Sequence, residues 1–294
     1  MTKIRNKTVL ITGGANGLGK LLAARCLKMG ASKVVLWDIN ETLLDETTTE
    51  FAHQGFTVHP YAVDVSDIND VEQAATDVLL NVGMVDVLFN NAGIVAGNKT
   101  FVEHSAKDIN KTIEVNVMGV MHVTRVFLPD MIRKKQGHII NIASAAGLIP
   151  NPKMSVYASS KWAVIGWSES LRLELEAVSK RLHVTTITPS YINTGMFDGV
   201  KAPWLTPILD PHFVVNEIMK GVRYNKIVVR EPFMVKSLPL LRGLLPPRMF
   251  DLIAGRMFGV YKTMENFVGR PKSQRMPEKN KRRKSTRLSK KMEA

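Results

Sequence analysis

Of the 294 residues only one, Cys26, is a cysteine. An internal disulfide is therefore excluded, which fits a reducing compartment. Cys26 lies in Leu21-Leu22-Ala23-Ala24-Arg25-Cys26-Leu27 and is expected to fill core space as a small apolar side chain. No run approaches the roughly 18 uninterrupted apolar residues that a membrane-spanning helix needs. Met1 to Lys7 is short and polar and leads straight into an apolar run, so neither a signal peptide nor an anchor is read there. No metal-ligand pattern is read either. Acidic residues are scarce, 26 against 40 Lys and Arg, giving a net charge of +14. Residues 271–294 hold ten Lys and Arg against two Glu, +8 of that total, which leaves +6 for the rest of the chain. From about 266 the apolar content collapses, and a basic, disordered tail is expected over 266–294. Its run Lys279-Asn280-Lys281-Arg282-Arg283-Lys284 can meet anionic lipid. It has no aromatic residue to stack on bases, so nucleic acid is not an expected partner. A solvated tail is the favoured expectation.

What remains suits a globular domain. A chain this long can bury about three quarters of its unfolded surface and needs no staples. Apolar runs alternate with helical patterns. Val9-Leu10-Ile11 precedes a helix from Gly17 to Met29, which Gly30 can cap. Val34-Val35-Leu36-Trp37 precedes a helix near Glu41–His53. Val58–Val63 precedes a helix from about Asp67, with Ser66 as a candidate N-cap. Val85–Phe89, His138–Ile142 and Val184–Ile187 continue the series, and Ile227-Val228-Val229 is a candidate last strand. The strands are short and rich in Val, Ile and Leu, which indicates burial on both faces. The expectation is one α/β domain over residues 1–265, a doubly wound parallel sheet of Rossmann type.

The first strand ends in Thr12-Gly13-Gly14-Ala15-Asn16-Gly17-Leu18-Gly19. Glycines there let the backbone turn sharply and approach a pyrophosphate, and the next helix points its first amides at it. The spacing Gly-x3-Gly-x-Gly differs from the commonest dinucleotide fingerprint. Asp38 ends the second strand, where a carboxylate can accept from ribose hydroxyls and repel a 2′-phosphate. NAD is therefore expected over NADP. Capping of the following helix is the plainer role for Asp38.

Tyr157-Ala158-Ser159-Ser160-Lys161 carries a tyrosine and a lysine four residues apart, on one helical face. A free tyrosine ionises near pH 10. A nearby ammonium favours the phenolate, so the tyrosine can take a proton from an alcohol. Ser144, thirteen residues upstream, can hold the alcohol or carbonyl oxygen.

With the glycine turn, Asn90-Asn91-Ala92-Gly93, Asn116, Ser144 and Tyr157-x-x-x-Lys161 in order, the chain resembles the short-chain dehydrogenase/reductase family. Leu36-Trp37-Asp38-Ile39-Asn40 and Thr194-Gly195-Met196-Phe197 look like its retinol dehydrogenase and 17-beta-hydroxysteroid dehydrogenase branch. The resemblance implies an oxidoreductase that uses NAD on a lipophilic alcohol or carbonyl, retinoid-, steroid- or acyl-alcohol-like. It implies that Tyr157 is the general acid/base, that Lys161 lowers its pKa and binds the nicotinamide ribose, and that Ser144 orients the substrate oxygen. Asn116 would hold a water between Lys161 and solvent. Gly13, Asn16, Gly17, Leu18 and Gly19 would meet the phosphates, and Asp64 and Val65 the adenine. Asn91 and Gly93 would line the cleft, and Ile192 and Thr194 would meet the nicotinamide amide. Plainer roles stand beside these: a helix kink for Asn116, a turn cap for Ser144, a helix cap for Asp64. The resemblance also implies a homodimer or homotetramer. An NADP-dependent carbonyl reductase and a membrane-peripheral cofactor-binding scaffold are the alternatives. The chain departs from the family at Pro189-Ser190, where Pro-Gly is usual, and lacks the branch's apolar N-terminal anchor. Cytoplasmic residence with peripheral membrane contact is expected.

The substrate loop is expected at about 190–210, where Met196, Phe197, Trp204, Leu205 and Ile208 offer apolar area. From 233 to 265 apolar clusters mix with Lys236, Arg242, Arg248 and Arg256. This extension can lie on a bilayer surface, cover the substrate site or form a dimer contact.

Overall fold

Residues 1–95, 98–203 and 206–269 are described by the computed structural model. Strand and helix alternate from the start. The first half runs β1 (Thr8–Thr12), α1 (Gly17–Lys28), β2 (Lys33–Asp38), α2 (Glu41–His53), β3 (His59–Ala62), α3 (Ile68–Asn81) and β4 (Val87–Asn90). The second half runs α4 (Ala106–Ile113), α5 (Gly119–Lys134), β5 (Gly137–Ile142), α6 (Ser155–Val178), β6 (Leu182–Pro189), α7 (Pro211–Arg223) and β7 (Val228–Glu231). Two further helices follow, α8 (Phe233–Leu244) and α9 (Pro247–Asp251). The seven strands form one parallel sheet in the order β3-β2-β1-β4-β5-β6-β7. The winding direction reverses between β1 and β4, and a crevice for ligands opens at such a switch point.

Both sheet faces are buried, as the continuous apolar runs predict. Along β1, Val9 and Ile11 join Leu22 of α1, Phe51 of α2 and Ile218 of α7 on one face. Leu10, between them, joins Val71 of α3, Phe127 of α5 and Leu171 of α6 on the other. Every residue of β5 is buried. Some of the polar atoms that this burial strands are paired, whereas Trp37 Nε1 and Asn90 Oδ1 have no partner among the described residues. Asn90 Nδ2 donates to Thr124 Oγ1 at 2.9 Å and to Asn141 Oδ1 at 2.8 Å, and Asn141 Nδ2 donates to Ser168 Oγ at 2.9 Å.

Helix ends follow their capping residues. Asn16 caps α1, and Gly30 beyond its C-terminus takes the left-handed φ of 81°. Asn40 caps α2 by accepting from Leu43 N. Asp67, not Ser66, caps α3. Ser66 gives its hydroxyl to Asp64 instead, because the chain turns there with Asp64 Oδ1 in reach of both Ser66 N and Oγ. The strands shift slightly from their expected limits: β3 spans His59–Ala62, and β7 runs on to Glu231.

α4 and α5 are separated by a wide π-type turn over Glu114–Met118, with Asn116 at its middle. Such turns recur at functional sites. Residues 266–269, expected to begin the tail, lie against the 190–210 loop. Phe267 meets Phe197 at 6.4 Å between ring centroids, and Val268 N donates to Asp198 O at 2.8 Å. The rest of the basic tail lies outside the described residues.

Candidate active site

The glycine turn sits between β1 and α1, beside the switch point. Gly13 and Gly17 both have positive φ, 63° and 55°. Gly19 has no space for a side chain: a Cβ would lie 2.0 Å from Gly13 O and 2.6 Å from Asn91 Nδ2. The turn is bolted to the end of β4. Thr12 Oγ1 accepts from Asn91 N and Ala92 N, each at 3.0 Å. Asn91 Nδ2 donates to Thr12 O at 2.9 Å and Gly13 O at 3.1 Å. Thr12 is not among the site residues that the sequence motifs point to. Its only signal is a hydroxyl at the last position of an apolar strand.

Around the α1 N-terminus gather Asn16, which accepts from Gly17 N at 2.6 Å, and the buried Leu18. Asp38 reaches the turn from β2. One carboxylate oxygen accepts from Ala15 N at 3.1 Å and the other from Asn40 N at 3.0 Å. The helix-cap role belongs to Asn40. Asp64 and Val65 follow β3. Asp64 lies 3.6 Å from Lys111 Nζ, and Val65 packs so close to α5 that a Cβ on Gly119 would be 2.9 Å from it.

The second cluster lies across the crevice. α6 carries Tyr157, Ser160 and Lys161, all buried. Lys161 Nζ donates to Ile142 O at 2.9 Å and lies 5.7 Å from the centre of the Tyr157 ring. The amide of Asn116 donates to Ile94 O at 2.9 Å and Ser160 Oγ at 3.0 Å, while its oxygen accepts from Ile94 N at 2.8 Å. Ser160 in turn donates to Tyr157 O at 2.7 Å. Asn116 thus holds the π turn to the β4 loop and to α6, and both its amide hydrogens are committed. Ser160, unremarked in the motif, is the link. Gly93 faces this cluster: a Cβ on it would come to 3.3 Å from Asn116 Oδ1 and 3.5 Å from Lys161 Nζ. Ser144 follows β5 in an extended conformation, accepts from Ala146 N at 3.2 Å and bonds to Tyr157. Ile192 and Thr194 lie on the loop after β6. Ile192 bridges Leu209, and Thr194 N donates to Ile192 O at 2.9 Å.

Electrostatics in this cluster differ from the expectation. Burial pushes the Tyr157 hydroxyl well above the usual tyrosine range, and the Ser144 hydrogen bond offsets this only in part. Burial lowers Lys161 to about 8. Both groups are buried away from solvent, which shifts each toward its neutral form, yet at about 8 Lys161 still carries its charge at neutral pH.

Ser144 opens on an apolar cavity of about 100 Å³. The 190–210 loop supplies Tyr191 and Phe197, whose rings meet edge-on at 5.2 Å, and Phe197 also meets Tyr157 at 6.1 Å. Ile208, expected in the pocket, is exposed, and Trp204 and Leu205 lie outside the described residues. Much of the lining comes from the C-terminal extension, including Met234, Leu238, Leu241, Leu245, Phe250 and Ile253. Arg242 pins α8 down: its guanidinium stacks 4.3 Å from the Trp162 ring centre, and Nη1 donates to Leu148 O at 2.7 Å. The extension therefore covers this cavity.

Comparison with known proteins agrees with this geometry. Residues 7–203 match the family model for short chain dehydrogenase. The chain is 36% identical to epidermal retinol dehydrogenase 2 of Mus musculus over 273 residues, covering 92% of this chain and 87% of the relative. It is 36% identical to estradiol 17-beta-dehydrogenase 11 of Homo sapiens over 251 residues, covering 85% and 83%. Among solved structures, a short chain dehydrogenase/reductase from Burkholderia phymatum in complex with NAD superposes with a TM-score of 0.75 at 28% identity, covering 83% of this chain and 95% of that one.

Proposed function

Since the chain belongs to the short-chain dehydrogenase family and is an NAD(P)-dependent alcohol dehydrogenase or reductase, we propose that it moves a hydride between NAD(H) and a lipophilic alcohol or carbonyl, with Tyr157 as general acid/base. The observation that carries this reading is Ser144 on the wall of an apolar cavity, next to the buried Tyr157, with Lys161 and Asn116 behind them.

The residues fit the cofactor. The left-handed backbone at Gly13 and Gly17, and the missing Cβ at Gly19, leave room for a pyrophosphate at the α1 N-terminus. Asp38 would accept from the adenosine ribose and repel a 2′-phosphate, which favours NAD over NADP. Asp64 and Val65 would meet the adenine, Asn91 and Gly93 the cleft wall, and Ile192 and Thr194 the carboxamide. NAD, when bound, supplies the hydride acceptor and its reduced form the donor. In the oxidation direction Ser144 holds the substrate hydroxyl, and Tyr157 Oη takes its proton. Lys161 in its ammonium form stabilises the phenolate before that transfer and holds the nicotinamide ribose. In reduction Tyr157 returns the proton to the carbonyl oxygen.

Lipophilic substrates fit the lining and agree with the retinol and estradiol named for the two relatives. A pocket of about 100 Å³ is smaller than the roughly 300–1,000 Å³ usual for ligand sites, so the cover formed by α8 and α9 must yield on binding. That cover exposes Phe233, Leu240, Leu244, Met249, Leu252 and Met257, with Lys236 and Arg248 on the same stretch. Such a face suits peripheral contact with an anionic bilayer, from which a lipophile could enter. Among the described residues no helix is long and apolar enough to cross a membrane.

Tyr157→Phe tests the chemistry. With NAD and a panel of retinoids, steroid alcohols and fatty alcohols, read by absorbance of the reduced cofactor, turnover should fall roughly 10²- to 10⁴-fold while NAD still binds. Turnover like that of the wild type would sink the assignment.

A further inference from the structure

One side chain in the cavity has an acceptor with nothing to accept. Asn151 lines the same cavity as Ser144 and Tyr191 and is only 9% exposed. Pro150 and Pro152 flank it and stiffen its backbone. Its Nδ2 donates to Tyr191 Oη at 3.1 Å. Tyr191 Oη lies 2.8 Å from Thr263 Oγ1, and Thr263 Oγ1 donates to Val260 O at 3.0 Å.

The direction of this chain is fixed from its far end. A backbone carbonyl can only accept, so the one Thr263 hydrogen goes to Val260. Thr263 Oγ1 then accepts the one hydrogen of Tyr191. Tyr191 has none left to give, so its oxygen takes one from the Asn151 amide. A flipped amide would set two acceptors against each other. Asn151 Oδ1 is therefore the end of the chain, buried and without a donor. Ser144, Ser190 and Thr206 on the same cavity are hydroxyls that can give or take a hydrogen. Asn151 Oδ1 can only take one.

We propose that Asn151 Oδ1 accepts a hydrogen bond from a second hydroxyl of the substrate, separate from the reacting carbinol, so that the cavity selects lipophilic diols over lipophilic mono-alcohols. This rests on the oxidoreductase reading above. A site built to pair with a hydroxyl discriminates against the analogue that lacks it, because the buried partner is then left unmade.

The test compares straight-chain primary alkanols with the matching α,ω-alkanediols, over a range of lengths, using NAD. At the length that spans the two polar groups, the wild type should oxidise the diol with a kcat/KM roughly tenfold or more above the alkanol. Asn151→Leu should erase that preference. Thr263→Val should instead extend it to the matching ω-methoxy alkanol, whose ether oxygen can only accept and which the wild type should not favour over the plain alkanol. With Thr263 unable to accept, the Tyr191 hydrogen turns to Asn151 Oδ1, and the amide presents N–H to the cavity. A merely structural Asn151 would not respond in this way. No diol preference at any length in the wild type would overturn the proposal, a bound water then satisfying the acceptor. Retention of the diol preference in Asn151→Leu, or no gain for the ω-methoxy alkanol in Thr263→Val, would also overturn it. If Asn151→Leu does not fold, the wild-type series and Thr263→Val still decide. Turnover of neither series would fell the lipophilic-alcohol reading and this proposal together, an outcome distinct from equal turnover of both.

Discussion

Lys161→Met should make the cofactor-free protein more stable while destroying its activity. Folding carries Lys161 from water into a site where it is 5% exposed, and its pKa falls from 10.5 to about 8. At 1.36 kcal/mol per pH unit, the charged amine costs the folded state about 3 kcal/mol at neutral pH. Methionine fills the same stem without that charge. It also leaves Ile142 O without its 2.9 Å donor, a loss of about 1 kcal/mol. The net expectation is a gain of about 2 kcal/mol at pH 7. The sign with pH follows from linkage. Between pH 8 and 10.5 the unfolded chain binds more protons at this site than the folded one, so wild-type stability rises with pH there and is flat below. The variant lacks that rise, and its advantage should shrink by pH 10. Urea unfolding without cofactor, at pH 7 and pH 10, measures both. Other groups titrate alike in the two proteins and cancel in the difference. A variant less stable than wild type at pH 7, or an equal difference at both pH values, would refute the reasoning.

Gly19→Ala should cost about 1–3 kcal/mol in thermal unfolding and weaken NAD binding measured by titration, because a Cβ 2.0 Å from Gly13 O must push the turn off Asn91. Asp38→Ala should narrow the preference for NAD over NADP in initial rates, and a wild type that already favours NADP would show the Asp38 role to be wrong. His138 is buried between Thr2 Oγ1 at 3.0 Å and Thr185 Oγ1 at 2.7 Å, and burial lowers it to about 3. The unfolded chain therefore takes up the proton first, and stability should fall by about 1.4 kcal/mol per pH unit from pH 6.5 toward 3; His138→Gln should flatten that slope in urea midpoints.

The sheet was legible because its chemistry is local. Short Val- and Ile-rich runs point to burial on both faces, and Gly13, Asp38 and Asn90 mark where β1, β2 and β4 end. The glycine turn was legible for the same reason. What sequence left open depends on distant contacts. Thr12 looks like an ordinary strand-end residue until β1 and β4 become neighbours and Asn91, 79 positions further along the chain, bonds to it. Ser160 is one more small residue on a helix until Asn116 arrives from the π turn. The direction of the Tyr157 shift was also beyond spacing. Spacing fixes which charge is near, but desolvation depends on everything packed around it.

The C-terminal extension shows why its three candidate roles could not be separated by pattern. Met234, Leu238, Leu241 and Leu245 recur at spacings of four, three and four, the period of one helical face, and that face lines the cavity. Phe233, Leu240 and Leu244 are equally apolar and exposed on the same stretch. A helix apolar on both sides gives no amphipathic signal that would choose a core face. Pro239 inside α8 hides the periodicity further. Covering the substrate site and meeting a bilayer are consequently not rival roles for this segment. One face lines the cavity, and an adjacent face leaves exposed apolar area for a bilayer. The attachment is of a kind that can give way: Arg242 on Trp162 is a contact of two exposed side chains, and the Tyr191–Thr263 bond is the polar link from the extension's far end to the cavity. The hydrogen-bond chain that leaves Asn151 without a donor is thus anchored in the segment that must move to admit substrate, which ties recognition of the second hydroxyl to closure of the cover.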